Sequence, residues 1–477
     1  MARTGSRCGR ETNKDVHYPL EMKWQSLSPL LEDMDDLELR SWMSNWSDFD
    51  KICDMILSLP SDVFWSMVVH DEKVVRLIDN FCESFPWSWE TTRLELYLKR
   101  NDAVTLVAST VFKKILFILL RAVLPNENRV NDEDSFLRII YDYRIITVDR
   151  LVNVAGVYDG CCEDAVRALF ERTIVRQPLF ASDLSAYSAQ LVRSLEGARD
   201  NLRFFVLECV NEGNGTKIMS HLAECTRYLE AAMLLFKYCP SSKKHLVDCD
   251  LAVVIPALVE DFTNHLTPAS LQSMVTSVVD FPISQYLQAF DQLRMSAWNL
   301  FNVIITDKEC WSSKTVVAIQ NGLLYENFIY YYNILFPIDS VIAELLAKGF
   351  CDSASVAHIQ SCLGVVSSSE ENKLIEKLRN QGLLQSLGSS TVGEVQTKIK
   401  DILELLPHFS PQFIHLCLRH FGYDQESTVN ALLGKFFLPL ELRALLSSPL
   451  EAMDPPCSQN QLVIFPPNGY FIISFAI

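Results

Sequence analysis

Glycine is scarce in this chain, with 16 in 477 residues. Bulged sheets and phosphate-cradling loops depend on glycine for tight turns and close backbone approach. The shortage therefore favours helices joined by short turns. No GxxxxGK[ST] or GxGxxG stretch occurs, so nucleotide phosphates have no cradle. No HExxH and no CxxC occurs either, and the 14 cysteines show no zinc or redox spacing. No nucleophile–base set is visible. The expectation is a non-catalytic protein without cofactor or metal.

Positive charge is also in short supply. Lys and Arg number 42 against 59 Asp and Glu, a net charge of −17. Phosphate backbones are bound by clustered Lys and Arg, so direct nucleic-acid binding is not expected. The greasiest early run, Val111 to Leu124, is interrupted by Lys113, Lys114 and Arg121. It falls short of the roughly 18 apolar residues that span a bilayer, and a buried helix without membrane contact is expected. The start, MARTGSRCGRETNKDVHYP, has no apolar core and does not read as a secretory signal. The N-x-S/T matches at Asn45 and Asn214 are then chance. Cys161 and Cys162 are adjacent and the rest are scattered through apolar stretches. That is the usage of reduced thiols in the nucleus and cytoplasm.

Helical periodicity is what the chain does have. Val166, Leu169, Phe170 and Thr173/Ile174 recur at i, i+3, i+4 and i+7/i+8, as do Leu184, Tyr187, Leu191 and Leu195 behind a cap at Ser182-Asp183. No repeat of fixed period is visible. The acidic run Glu32, Asp33, Asp35, Asp36, Glu38 reads as a solvated helix start. Trp42, Trp46, Trp65, Trp87 and Trp89 read mostly as core. The fold class expected is all-α: a large irregular helical scaffold followed by a small three-helix domain. The expected division is a disordered start (1–24), the scaffold (25–385), a linker (386–396), the small domain (397–440) and a tail (441–477). Glu370 to Leu387 forms a charged amphipathic stretch at the scaffold's end. After Asp454 the tail carries no charge; it suits either a hairpin around Asn468-Gly469 or a non-native end, and is assigned no function.

The small domain is the most informative stretch, DILELLPHFSPQFIHLCLRHFGYDQESTVNALLGKFF. Ile399, Ile402, Leu403 and Leu406 make the core stripe of a first helix, Lys398 to Leu406, and Pro407 ends it. Leu405 lies off that stripe. Ser410-Pro411 is an N-cap followed by a favoured first residue. Phe413, Leu416, Cys417 and His420 form the second stripe, and Gly422 suits a left-handed helix end. Asp424 caps a third helix, with Val429, Leu432, Leu433 and Phe436 inward or nearly so. His415, Cys417 and His420 hint at metal ligation, but the two histidines point about 140° apart on one helix. A domain of about 42 residues cannot cover all its apolar side chains. Leu405, Pro407 and part of Leu433 are left at the surface, as a partner site is.

Leu405-Leu406-Pro407 followed by Leu432-Leu433 resembles the CUE domain, a three-helix ubiquitin-binding module. In that family a hydrophobic pair with proline ends the first helix, a di-leucine lies in the third, and together they grip the apolar patch of ubiquitin. The resemblance makes Leu405, Leu406, Pro407, Leu432 and Leu433 the ubiquitin-binding residues. Leu-Leu-Pro stands where Met-Phe-Pro is common, and Gly434 directly follows the di-leucine, where a helix-interior glycine costs about 1 kcal/mol.

Three corners precede this domain: LSLPSDVFW (Leu57 to Trp65), RQPLFASDL (Arg176 to Leu184) and NILFPIDS (Asn333 to Ser340). Each reads as a helix end, a proline and the start of the next helix, with Ser61-Asp62 capping the first. In this order, and with the CUE segment behind them, they resemble the subunit 2 family of the activating signal cointegrator 1 complex, over roughly Leu30 to Leu440. The resemblance implies a non-catalytic adaptor. Its helical body would bind the large helicase subunit of the complex, and its CUE domain would recruit that machine to polyubiquitin chains in repair of alkylated DNA and the splitting of collided ribosomes. The chain departs from the family in its short linker and apolar tail. The alternative is an α-helical protein-interaction scaffold whose CUE-like end packs on the body and binds no ubiquitin.

Overall fold

The computed structural model describes residues 26–123, 133–212, 215–265, 283–380, 393–434 and 438–446, together with Leu384, Leu387 and Leu450. The expected disordered start and almost all of the tail beyond residue 446 lie outside them, as does most of the linker. The described residues are all-α, with no strand among them. They fall into two compact units: residues 1–145 with 157–161, and residues 146–156 with 162–477. The single scaffold expected over 25–385 is thus two units, and the small domain belongs to the second.

The first unit contains α1 (Asp36–Ser58), α2 (Ser61–His70), α3 (Lys73–Ser84), α4 (Thr91–Lys99), α5 (Asp102–Ala122) and α6 (Glu133–Asp142). The acidic run is a helix start as read: the Asp35 carboxylate accepts from the Leu37 and Glu38 amides, and Glu38 reaches back to the Asp35 amide. An aromatic core forms beneath it. Trp42 stacks on Trp46 at 4.8 Å and both meet Tyr97 edge-on. Trp42, Trp46 and Trp87 are buried, whereas Trp65 and Trp89 are half-buried. Helix α5 packs on α1 and runs longer than the apolar stretch that marked it. By length and composition alone it is apolar enough to cross a membrane. One face is buried, including Val104, Val111, Ile115 and Leu119, while Leu106 and Phe117 stay exposed. Two of the charges that interrupt the run have partners: Lys114 pairs with Asp50 and Asp54, and Arg121 donates to the Ile56, Leu57 and Leu59 carbonyls near the end of α1.

Helix α7 (Val148–Tyr158) straddles the division. The second unit continues with α8 (Glu163–Phe170) and a π-helical turn (Glu171–Val175). Then follow α9 (Phe180–Glu212), α10 (Gly215–Tyr238), α11 (Pro240–Asp248), α12 (Leu251–His265) and α13 (Ile283–Thr306). Next come α14 (Ser313–Gly322), α15 (Glu326–Leu335), α16 (Asp339–Ala347) and α17 (Ser353–Asn380). The stripe Val166, Leu169, Phe170, Ile174 is buried as the periodicity requires, even though the backbone widens to a π turn at its end. Leu184, Leu191 and Leu195 are likewise buried. Polar groups tie helices together: Trp298 Nε1 donates to the Phe328 carbonyl at 3.2 Å, and the half-buried Glu260 carboxylate accepts from the Phe328 amide at 3.1 Å.

All three proline corners join helices, but the caps differ from those expected. Helix α9 begins at Phe180, so Ser182 and Asp183 lie inside its first turn, where the Ser182 hydroxyl donates to the Leu179 carbonyl at 3.2 Å. In α2 the N-cap is Pro60, and Ser61 is already helical. Proline pre-sets the backbone for a helix start, so the serine need not.

Candidate functional site

The small domain consists of α18 (Gly393–Leu405), α19 (Pro411–His420) and α20 (Gln425–Leu433). Helix α18 starts five residues before the expected Lys398, so the end of the presumed linker is helical. Ile399 and Ile402 are buried in its core stripe. Leu406 closes the stripe just past the helix, its amide donating to the Ile402 carbonyl at 2.8 Å. Pro407 has no amide to continue the ladder.

Helix α19 restarts where Ser410 predicts it. The Ser410 hydroxyl accepts from the Phe413 amide at 3.1 Å, with Pro411 in the first turn. Its burial exceeds the expected stripe: every residue from Phe413 to Leu418 is buried, His415 included, whereas His420 is only half-buried. A helix apolar all round belongs inside a core rather than on a surface. His420 is held below its ordinary pKa by burial. No group of three or more potential metal ligands occurs among the described residues.

The turn after α19 is a Schellman closure. The Tyr423 amide donates to the Leu418 carbonyl at 2.6 Å and the Gly422 amide to Arg419 at 3.3 Å. Gly422 has φ +61° as expected, and Tyr423 repeats it at +63°. Lys398 secures the turn by donating to the Tyr423 carbonyl at 3.2 Å while pairing with Glu394 at 3.0 Å. Asp424 caps α20 by accepting from the Ser427 amide at 3.1 Å. Hydrogen bonds from Ser427 hold its carboxyl below the ordinary range. Gly434 donates to the Asn430 carbonyl at 2.9 Å and is the C-cap of α20. It is therefore not helix-interior, and the expected cost there does not arise.

The five residues singled out from the sequence divide into two groups. Leu405 is 65% exposed, Leu433 is 64% exposed, and Pro407 is exposed. Leu406 is 7% exposed and Leu432 is 2% exposed, both inside the core. As direct contacts, Leu406 and Leu432 are therefore corrected to core residues: each faces inward one helical step, about 100°, from its exposed neighbour. Val429 is half-buried, and Thr428 and Ala431 complete the inward face of α20. Leu405 ends α18, Leu433 ends α20, and these two helices pack together. The apolar surface they leave has exposed Asp401, Glu404 and His408 beside it in sequence. It is a shape for apolar docking.

Sequence reasoning missed what holds the domain. Its core is continuous with Leu374 and Leu378 of α17, with Leu384 and Leu387, and with Leu438, Leu442 and Leu445 after α20. The signal was there in the spacing i, i+4, i+7 of the last three. Elsewhere, the first unit has a cleft of about 360 Å³ lined by Phe85, Leu94, Tyr97, Leu98, Ala108 and Phe112. The Tyr97 hydroxyl beside it accepts from the Leu30 amide, and the Thr105 hydroxyl donates to the Tyr97 carbonyl.

These helices form a CUE domain, the family that matches residues 395–434. The protein is an all-α scaffold carrying that domain near its C-terminus. It is a distant relative of activating signal cointegrator 1 complex subunit 2: over 81% of this chain it is 18% identical to that protein of Mus musculus and 19% identical to that of Homo sapiens. The chain spans 59% of the length of each. An uncharacterised protein of Caenorhabditis elegans is 46% identical over 94 residues, covering 18% of this chain and 15% of that one. A chain in the crystal structure of the DNA repair complex ASCC3-ASCC2 has the same fold with a TM-score of 0.60 at 13% identity, over 73% of this chain and 91% of that chain.

Proposed function

We propose that the protein is a non-catalytic, ubiquitin-binding adaptor. The carrying observation is the exposure of Leu405 and Leu433 at the ends of two packed helices in a CUE domain. Apolar side chains of this size are kept bare at a cost in solubility, and a partner recovers that cost by covering them. The docking area is small, so affinity for one ubiquitin is in the micromolar range. Polyubiquitin chains raise it through avidity.

The helical units supply the second contact. Similarity to subunit 2 of the activating signal cointegrator 1 complex supports binding to that complex's large helicase subunit, and so recruitment of the helicase to polyubiquitin. Repair of alkylated DNA and the splitting of collided ribosomes are the settings we propose, in nucleus and cytoplasm, with no direct contact to nucleic acid or membrane. The net charge of −17 suits an adaptor that leaves nucleic acid to its partners. A scaffold that binds no ubiquitin would be favoured by Leu405 packed against the body, but Leu405 is exposed. The test is titration of the full chain into isotope-labelled ubiquitin. Shifts confined to the apolar patch of ubiquitin, and lost with Leu433→Ala, are expected; an unchanged spectrum rejects the reading.

A further inference from the structure

Residues 438–440 were expected to close the small domain and 441–446 to begin the tail, yet all nine are built into the second unit. Leu438, Leu442 and Leu445 are buried, on and beside the short helix α21 (Leu440–Ala444). They share one core with Ile399, Ile402 and the buried run of α19 on the domain side, and with Leu374 and Leu378 of α17 on the scaffold side. Helix α21 also packs directly against α15, and α17 packs against α15 as well. One short segment thus touches both the domain and the helices that carry it.

Its polar side points the same way. Glu441 interacts electrostatically with Arg294 and Asp291 of α13 and with Lys377 of α17, and it also acts on Tyr331 of α15. Burial raises the Glu441 carboxyl above its ordinary range despite Arg294. Arg294 itself is held over the rings of Trp298 at 4.8 Å and Tyr331 at 5.3 Å. A segment that were only a trailing end would not bring its acidic side chain among three scaffold helices.

We propose that residues 438–446 are a strap that fixes the CUE domain in one orientation on the second unit, so that the exposed Leu405 and Leu433 are aimed by the scaffold rather than carried on a free tether. Leu442 of α21 and its flanking Leu438 and Leu445 bind the domain's core to the end of α17, and the packing of α21 on α15 seats the strap on the scaffold. Release of the strap frees the domain without dismantling it. The proposal does not depend on what docks at Leu405 and Leu433.

Hydrogen exchange read by mass spectrometry on the full chain tests this, comparing the unaltered protein with Leu442→Asp and with a chain ended after residue 437. Exchange reports local opening segment by segment. The expected result is exchange at least about tenfold faster in the last turns of α17, with protection of α18 and of Phe413 to Leu418 retained. Unchanged exchange in the last turns of α17 would show the segment to be a passenger. Loss of protection in Phe413 to Leu418 as well would show it to be part of the domain's own fold and not a mount. Either outcome overturns the proposal.

Discussion

Leu432 and Leu433 are adjacent in the chain and opposite in surroundings, the first 2% exposed and the second 64% exposed. Leu432→Ala therefore empties a core site and should cost about 2–5 kcal/mol of local stability. Leu433→Ala and Leu405→Ala should leave stability within about 0.5 kcal/mol and weaken ubiquitin binding by about 1–3 kcal/mol. Urea unfolding followed in the CUE domain, set beside ubiquitin titration, separates the two effects.

Gly422 has φ +61° and open space where a Cβ would sit. Gly422→Ala should cost about 1–2 kcal/mol from the backbone alone, with no accompanying clash. The same urea transition measures it, and a cost near zero would mean that the turn relaxes.

Ser410 and Asp424 each satisfy a helix N-terminus through one side-chain oxygen. Ser410→Ala should cost about 0.5–2 kcal/mol. Asp424 adds a dependence on pH. Its native pKa lies below its ordinary value of about 3.9. Its contribution is thus present above that value and lost as pH falls through the native pKa. Asp424→Asn keeps the acceptor and should flatten the acid limb of domain stability, measured by exchange at graded pH.

Glu441 runs in the opposite direction, because burial raises its native pKa. Relative to the ionised form, docking of the strap gains as pH falls through that raised value, and the gain is complete below the ordinary value of about 4.3. Glu441→Gln should remove the dependence and increase protection of 438–446 at neutral pH. Faster exchange there would show instead that attraction to Arg294 outweighs burial.

The thiols should differ sharply in reactivity. Burial pushes Cys53 and Cys417 well above the ordinary thiol range, while Cys161 is exposed. Since the thiolate is the reactive form, N-ethylmaleimide added to the folded protein should modify Cys161 and spare the other two. Peptide mass spectrometry reads the outcome.

Much of the candidate site was legible in the sequence because its determinants are local. Leu405 and Leu406 differ by one helical step, Pro407 lacks an amide, Ser410-Pro411 can cap and start a helix, and Gly422 can turn left-handed. Each of these acts within one turn of helix, so residue order alone specifies them. Register in the first helix sets Leu405 off the stripe that Leu406 completes, whereas in the third helix Leu432 and Leu433 both read as inward or nearly so, and packing alone separates them.

Local order could not assign the surroundings of α19. Its stripe read as one-sided, yet Phe413 to Leu418 is buried throughout, in a core that reaches from Leu374 to Leu450. Nor could it place Leu442 against the core shared by α17 and α18. By itself the sequence determined that this is a helical chain carrying a small three-helix domain near its C-terminus, with Leu405, Pro407 and part of Leu433 left at the surface. Only the tertiary structure decided that the domain is mounted rather than tethered, because burial depends on contacts between residues tens of positions apart, and helical periodicity says which face is apolar but not what covers it.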